Sequence, residues 1–267
     1  MPTIAAGLAN RHRPSRHRRS ANSAVLIAAL LMFALELFPS TSASAPAAPV
    51  VAGGSLRLGR SEDGRPIVAV RSGDPRGTRV LVIGCIHGNE GAGIAVARAV
   101  ARVHSGPDFW IVPDLNPDGY ARGSRQNGRG VDLNANWSSQ WRGGGHPWDT
   151  YYPGPYPFSE RETRIGRDLI LRLRPRLTVW FHQHMNLVWA WGPSSDAGRF
   201  YARAAGMRFY HHPWLHGTAT NWQNHRLPGS ASFTVELPAG SLSPLQVRRQ
   251  VQAVLRLASA LHGSMHT

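Results

Sequence analysis

An α/β fold is predicted for this chain, as about one large domain, and three observations predict it. Short continuous apolar runs alternate with amphipathic stretches, the alternation expected where strands and helices pack as layers. A length of 267 residues with 42% hydrophobic content supports one substantial core and leaves too little for a second full domain once an N-terminal segment is set aside. Three of the apolar runs lead into residues that ligate metals or move protons, and in open α/β sheets the working crevice lies outside the carboxyl ends of the strands.

Taken in order, residues 1–45 read as a secretory signal. Arg11, Arg13, Arg16, Arg18 and Arg19 precede an apolar run over 24–38, and Ala43-Ser44-Ala45 offers a small-residue cleavage site. A spanning helix needs roughly 20 apolar residues, more than this run supplies, and Glu36 interrupts it. Residues 46–54 are Ala/Pro/Gly-rich and read as a linker, leaving 55–267 as the folded domain. Residues 80–83 have the pattern of a buried strand, 92–103 carry Val96, Val100 and Val103 at helical spacing, and 109–112 form a second strand. Between 113 and 154 the composition shifts to Asn, Asp, Gly, Pro and Trp, a long loop region of the kind that persists when it builds a site. A helix is predicted from Ser159, with Glu162 closing a capping box and Ile165, Leu169 and Leu173 on one face. Strands over 177–181 and 232–235 run into His182 and Glu236. The last helix has Ser243 as its cap, Pro244 in the first turn, Gln246 closing the box and Gly263 as its stop, with Val247, Val251, Leu255 and Leu261 toward the sheet.

Composition removes several classes of chemistry. The chain has no lysine, which excludes a P-loop and any Schiff-base mechanism. No Gly-x-Ser-x-Gly elbow occurs, which argues against a serine hydrolase. Cys85 is the single cysteine, so no intramolecular disulfide forms. The formal net charge is +15, and removing the leader takes five arginines and one glutamate and leaves +11. Outside a cell such a surface suits an anionic wall polymer or lipid headgroup rather than nucleic acid; a solvated arginine-rich surface is the equally weighted reading.

The chemistry concentrates in Cys85-Ile86-His87-Gly88-Asn89-Glu90-Gly91, immediately after the first buried strand. Gly88 and Gly91 are expected to let the backbone turn sharply, so that His87 and Glu90 converge, and His182 arrives from a distant strand. Two imidazoles and one carboxylate with an open fourth position form a catalytic zinc set, whereas an isolated His-x-x-Glu is more often an ordinary loop pair.

Five segments carry a resemblance that covers nearly the whole domain in order. They are Gly59-Arg60-Ser61-Glu62-Asp63-Gly64-Arg65-Pro66-Ile67, then Gly84 to Glu90, Asn116-Pro117-Asp118-Gly119, Gly130-Val131-Asp132-Leu133-Asn134, and Thr234-Val235-Glu236-Leu237-Pro238. Together they resemble the zinc carboxypeptidases, and within them the bacterial murein peptide amidase branch. The resemblance implies a single domain with a central mixed β-sheet flanked by helices, one zinc ion at the strand ends, and hydrolysis of a peptide-type amide. Carried over by position, it implies His87, Glu90 and His182 as metal ligands, with His184 as the rival third ligand. It implies Glu236 as general base, Arg125 as the group polarising the scissile carbonyl, with Arg122 as its neighbouring rival, and Asn134 as a contact to the substrate's carboxylate.

Two departures stand out. The family's Asn-Arg-Asn reads Asn134-Ala135-Asn136 here, so the arginine that would grip a terminal carboxylate is missing. Either Arg129 or Arg226 supplies that charge, or the substrate offers no carboxylate there. The family's tyrosine over the leaving group also has no obvious match, Tyr210 being the last tyrosine. His211, His212 and His216 are expected at the surface or along a pocket, because Pro213 interrupts any helix that would align them. Trp189 and Trp191 suit a groove wall and core packing equally. The leading expectation is an exported zinc amidase or peptidase acting on peptides or muropeptides, with the cell wall as an anionic partner. The alternatives are a carboxypeptidase acting on ordinary C-termini and a catalytically silent zinc protein that binds wall.

Overall fold

In the computed structural model of the protein, residues 54–263 are described, and they belong to one compact unit. The leader and all but the last residue of the linker lie outside them. Among the described residues no helix is long and apolar enough to cross a membrane.

Seven strands form one mixed sheet: β1 (Ser55–Arg60), β2 (Pro66–Ser72), β3 (Arg79–Ile83), β4 (Asp108–Val112), β5 (Leu177–Ala190), β6 (Arg208–His211) and β7 (Ala231–Pro238). Their order is β1-β2-β4-β3-β5-β6, with β7 also paired to β5. The β1–β2 and β2–β4 pairs are antiparallel, whereas β3 is parallel to both β4 and β5. Side chains alternate between two cores, one on each face: Val80, Val82, Phe109 and Ile111 on one, Leu81, Ile83, Trp110 and Val112 on the other. A strand buried on both faces must be apolar at every position, which is why these segments read as continuous runs.

The first core is covered by α1 (Gly93–Val100), α4 (Ser195–Ala205) and α6 (Pro244–Gly263), the second by α3 (Arg161–Leu173) and α5 (Ala219–Arg226). From β3 the chain crosses through α1 to β4 on one side, then returns through α3 to β5 on the other. The connections therefore diverge at the carboxyl end of β3, and that divergence opens a crevice.

Several expectations are corrected in detail. The helix expected from Ser159 starts at Arg161 with Glu160 as its N-cap, and Glu162 closes no capping box. Its carboxylate is buried and accepts from the Glu62 N–H at 3.1 Å and the Asn127 amide at 3.1 Å. The capping box of α6 forms as expected, Gln246 accepting from the Ser243 N–H at 2.8 Å and donating its own N–H to Ser243 Oγ at 3.3 Å. β5 and β7 do not stop at His182 and Glu236 but run on to Ala190 and Pro238. Beyond His184 the register of β5 against β7 reverses direction, with Leu187 beside Glu236, Val188 beside Val235 and Trp189 beside Thr234. Asn186, in this turn, has a φ of 50°, a conformation asparagine tolerates better than most residues.

Candidate metal centre and catalytic cleft

His87, Glu90 and His182 meet at the carboxyl ends of β3 and the first half of β5. Glu90 Oε2 lies 2.9 Å from His87 Nδ1 and 3.0 Å from His182 Nδ1, and the two Nδ1 atoms are 3.2 Å apart. A tetrahedral zinc with ligands at about 2.0–2.1 Å separates its donor atoms by roughly 3.3 Å, so this triangle has the right size. The donor set also has the right chemistry. His87 Nε2 faces Asp132 Oδ1 at 3.0 Å, which directs the ring proton to Nε2 and leaves Nδ1 with a bare lone pair aimed at His182 and Glu90. Lone pairs this close to a carboxylate repel unless a cation or a proton lies between them.

The electrostatics agree. Burial opposes protonation of His87, but the Asp132 and Glu90 carboxylates outweigh it and the net shift is upward. Burial likewise raises Glu90, yet its contacts with His182 and His87, when a proton lies between them, hold it far below the usual carboxylate range. A buried site that holds its carboxylate ionised between two imidazoles is poised for a divalent cation.

The loop is braced by backbone contact rather than by turn conformation. Neither Gly88 nor Gly91 has a positive φ. What Gly88 provides is proximity: a Cβ there would sit 1.9 Å from the Gly119 carbonyl carbon, in α2 (Pro117–Arg122). Asn116, capping that helix, donates to Ile86 O at 3.0 Å and to Arg125 O at 3.2 Å, stitching the ligand loop to the arginine loop. The remaining motif residues brace the same region. Buried Asp118 accepts from Ser61 Oγ at 2.7 Å, the Asp63 N–H at 2.9 Å and Arg65 Nη1 at 2.7 Å.

Arg125 forms a fork over the centre, with Nη1 2.9 Å from Glu90 Oε1 and Nη2 2.9 Å from Asp132 Oδ2. Its rival Arg122 instead pairs with Asp63 Oδ2 at 2.8 Å. His184, the rival ligand, is exposed and lines the cleft outside the ligand triangle. Glu236 on β7 stands in register with His182 on β5, lines the same cavity, and has a buried Oε2 without a hydrogen-bond partner among the described residues. Asn134 also lines the cavity, its Oδ1 accepting from the Ala219 N–H at 3.0 Å.

The cavity holds about 500 Å³ and extends past Trp189, Trp214, Leu215 and Thr234. Arg129, Arg226, Trp191 and the three histidines of 211–216 are not among its walls. Two contributors escaped the sequence reading. Asp132 was visible inside its motif, but only the fold shows that it orients His87 and anchors Arg125. Tyr151 lies on the cavity wall with its ring 5.2 Å from the Arg125 guanidinium carbon, supplied by a Gly/Trp-rich loop whose sequence carries no periodic signal.

The family model for zinc carboxypeptidases matches residues 55–204. The chain belongs to the zinc carboxypeptidase family. It is 36% identical over 113 residues to carboxypeptidase B from Astacus astacus, covering 34% of this chain and 37% of that protein. It is 30% identical over 143 residues to murein peptide amidase A from Escherichia coli strain K12, covering 48% and 59%. The chain thus spans less than two thirds of the length of these curated relatives. The murein-tripeptide amidase structure from Escherichia coli O157 superposes with a TM-score of 0.63 at 24% identity over 78% of this chain and 92% of that one, a likeness of fold. The single zinc of this family finds three fitting donors in His87, Glu90 and His182. Glu236 lies beyond the matched residues, so its assignment rests on position in the fold.

Proposed function

We propose that the protein is an exported zinc-dependent hydrolase of peptide-type amide bonds, acting on cell-wall stem peptides. The observation that carries the chemistry is the convergence of His87, Glu90, His182, Arg125 and Glu236 on one cleft. A zinc ion held by the first three would supply Lewis acidity to water and to the scissile carbonyl. Glu236, with its free carboxylate oxygen, takes a proton from the attacking water and returns it to the leaving nitrogen. Arg125 is positioned by two carboxylates and retains further N–H donors for the carbonyl oxygen as charge builds on it. Asp132 holds His87 in the ligating tautomer.

The leader pattern, the basic composition and the likeness to a murein peptide amidase support the wall substrate. The test is zinc content together with turnover of muropeptides. Purified protein is expected to hold one zinc, and Glu236→Gln to lower kcat by about 10²- to 10⁴-fold with zinc retained. A variant that keeps full activity, or native protein without stoichiometric zinc, defeats the mechanism.

A further inference from the structure

We infer that the cleft accepts a leaving residue whose carboxyl group is blocked, as a carboxamide or as the next peptide link, and selects against a free C-terminal carboxylate. The inference rests on the hydrolase reading above and specifies its substrate class. Among the described residues lining the cleft, Arg125 is the one arginine, set against Glu90 and Glu236. Its guanidinium is already divided between Glu90 Oε1 and Asp132 Oδ2, and its remaining donors face the scissile carbonyl in the mechanism above. The other candidate arginines are elsewhere. Arg122 pairs with Asp63, Arg129 lies 3.7 Å from Glu160, and Arg226 ends α5 away from the wall.

At the N-terminus of α5, which borders the cleft through Thr218 and Thr220, three N–H groups already have neutral partners. The Ala219 N–H donates to Asn134 Oδ1 at 3.0 Å, the Asn221 N–H to Thr218 Oγ1 at 3.4 Å, and the Trp222 N–H to Thr218 O at 3.0 Å. A carboxylate placed here would exchange water for neutral partners, which disfavours the ion.

An amide suits the same wall. Asn134 keeps its Nδ2 donors, since only its Oδ1 is occupied by α5. Threonine hydroxyls at 218, 220 and 234 both donate and accept, as an amide requires of its partners. Trp214, also on the wall, has a buried indole N–H with no partner among the described residues, a donor that an amide oxygen would satisfy.

The experiment compares two stem peptides that differ only in ending as a free acid or as a carboxamide. Binding to the zinc-loaded, full-length Glu236→Gln protein is measured by calorimetry, and kcat/KM is measured with the native enzyme. Losing the Glu236 charge favours the acid if it favours either, so a carboxamide preference of tenfold or more in this variant supports the inference. Equal binding, tighter binding of the acid, or no binding of either peptide overturns it. Preferential binding of the amide without turnover of either peptide by the native enzyme defeats the hydrolase reading and leaves the inference standing. Leu215→Arg then adds a guanidinium at the rim, where Leu215 is 56% exposed. The amide-to-acid ratio is expected to fall about tenfold, and a ratio unmoved by the new charge overturns an electrostatic selection.

Discussion

At the scale of single residues, Asp132 does more than its place in a motif suggests. It accepts from His87 and from Arg125, so one carboxylate sets both the ligand's tautomer and the arginine's orientation. Asp132→Asn keeps the shape but removes the charge that favours both contacts, and zinc affinity is expected to fall about 10- to 100-fold, read by competition with a chelating dye. Tyr151 acts on the same arginine from the solvent side. Tyr151→Ala is expected to lower kcat/KM about two- to fivefold, with Tyr151→Phe restoring most of it, because the ring face rather than the hydroxyl meets the guanidinium. The candidate ligands and Glu236 stood out in the sequence because the strands leading toward them are continuous apolar runs and because the segments holding His87, Glu90 and Glu236 resemble the zinc carboxypeptidases. Tyr151 was not, because nothing in the spacing of a Gly/Trp/Pro-rich loop says which aromatic ring lands on which charge. Arg129 and Arg226 were plausible replacements for the missing arginine only while their positions were unknown.

At the scale of elements, the sequence exposes what has one dominant period and conceals the rest. β3, β4 and the first half of β5 are buried on both faces, and α3 and α6 carry a single apolar stripe, so all were readable. The helix α5 was not, since its buried side includes the polar Thr220, Asn221, Gln223 and Asn224 and so carries no apolar stripe. Their partners are internal: Gln223 donates to Thr178 and Ser230, and Asn224 donates to Ser232 O. The short edge strand β6 is mostly exposed and carries neither pattern. Two substitutions test how elements support the site. Ser243→Ala removes the cap of α6 and is expected to cost about 1 kcal/mol, seen as a drop in Tm of about 2–4 °C. Gly88→Ala forces the ligand loop away from Gly119 and is expected to lower zinc affinity and Tm together, which a change confined to the metal ligands would not do.

For the whole molecule, the pH response has a source outside the candidate metal centre. Burial raises the Glu162 carboxyl from 4.5 to about 7, against the hydrogen bonds from Glu62 and Asn127. A carboxyl whose pKa is raised on folding holds its proton in the folded state longer than in the unfolded one. Its contribution to stability is full below the unfolded value and is lost as pH climbs through the folded one. Stability is therefore expected to decline between about pH 4.5 and pH 7 from this group, and Glu162→Gln to flatten that decline in urea unfolding. One further feature, the pairing of β5 with β7, has a mechanical implication. His182 and Glu236 face each other on one rung of the β5–β7 ladder, so their spacing is set by backbone pairing and is insensitive to loop motion. Inserting a single residue into β7 ahead of Glu236 would rotate the carboxylate to the opposite surface while leaving the histidines untouched. Such a protein would capture its ion and do nothing with it.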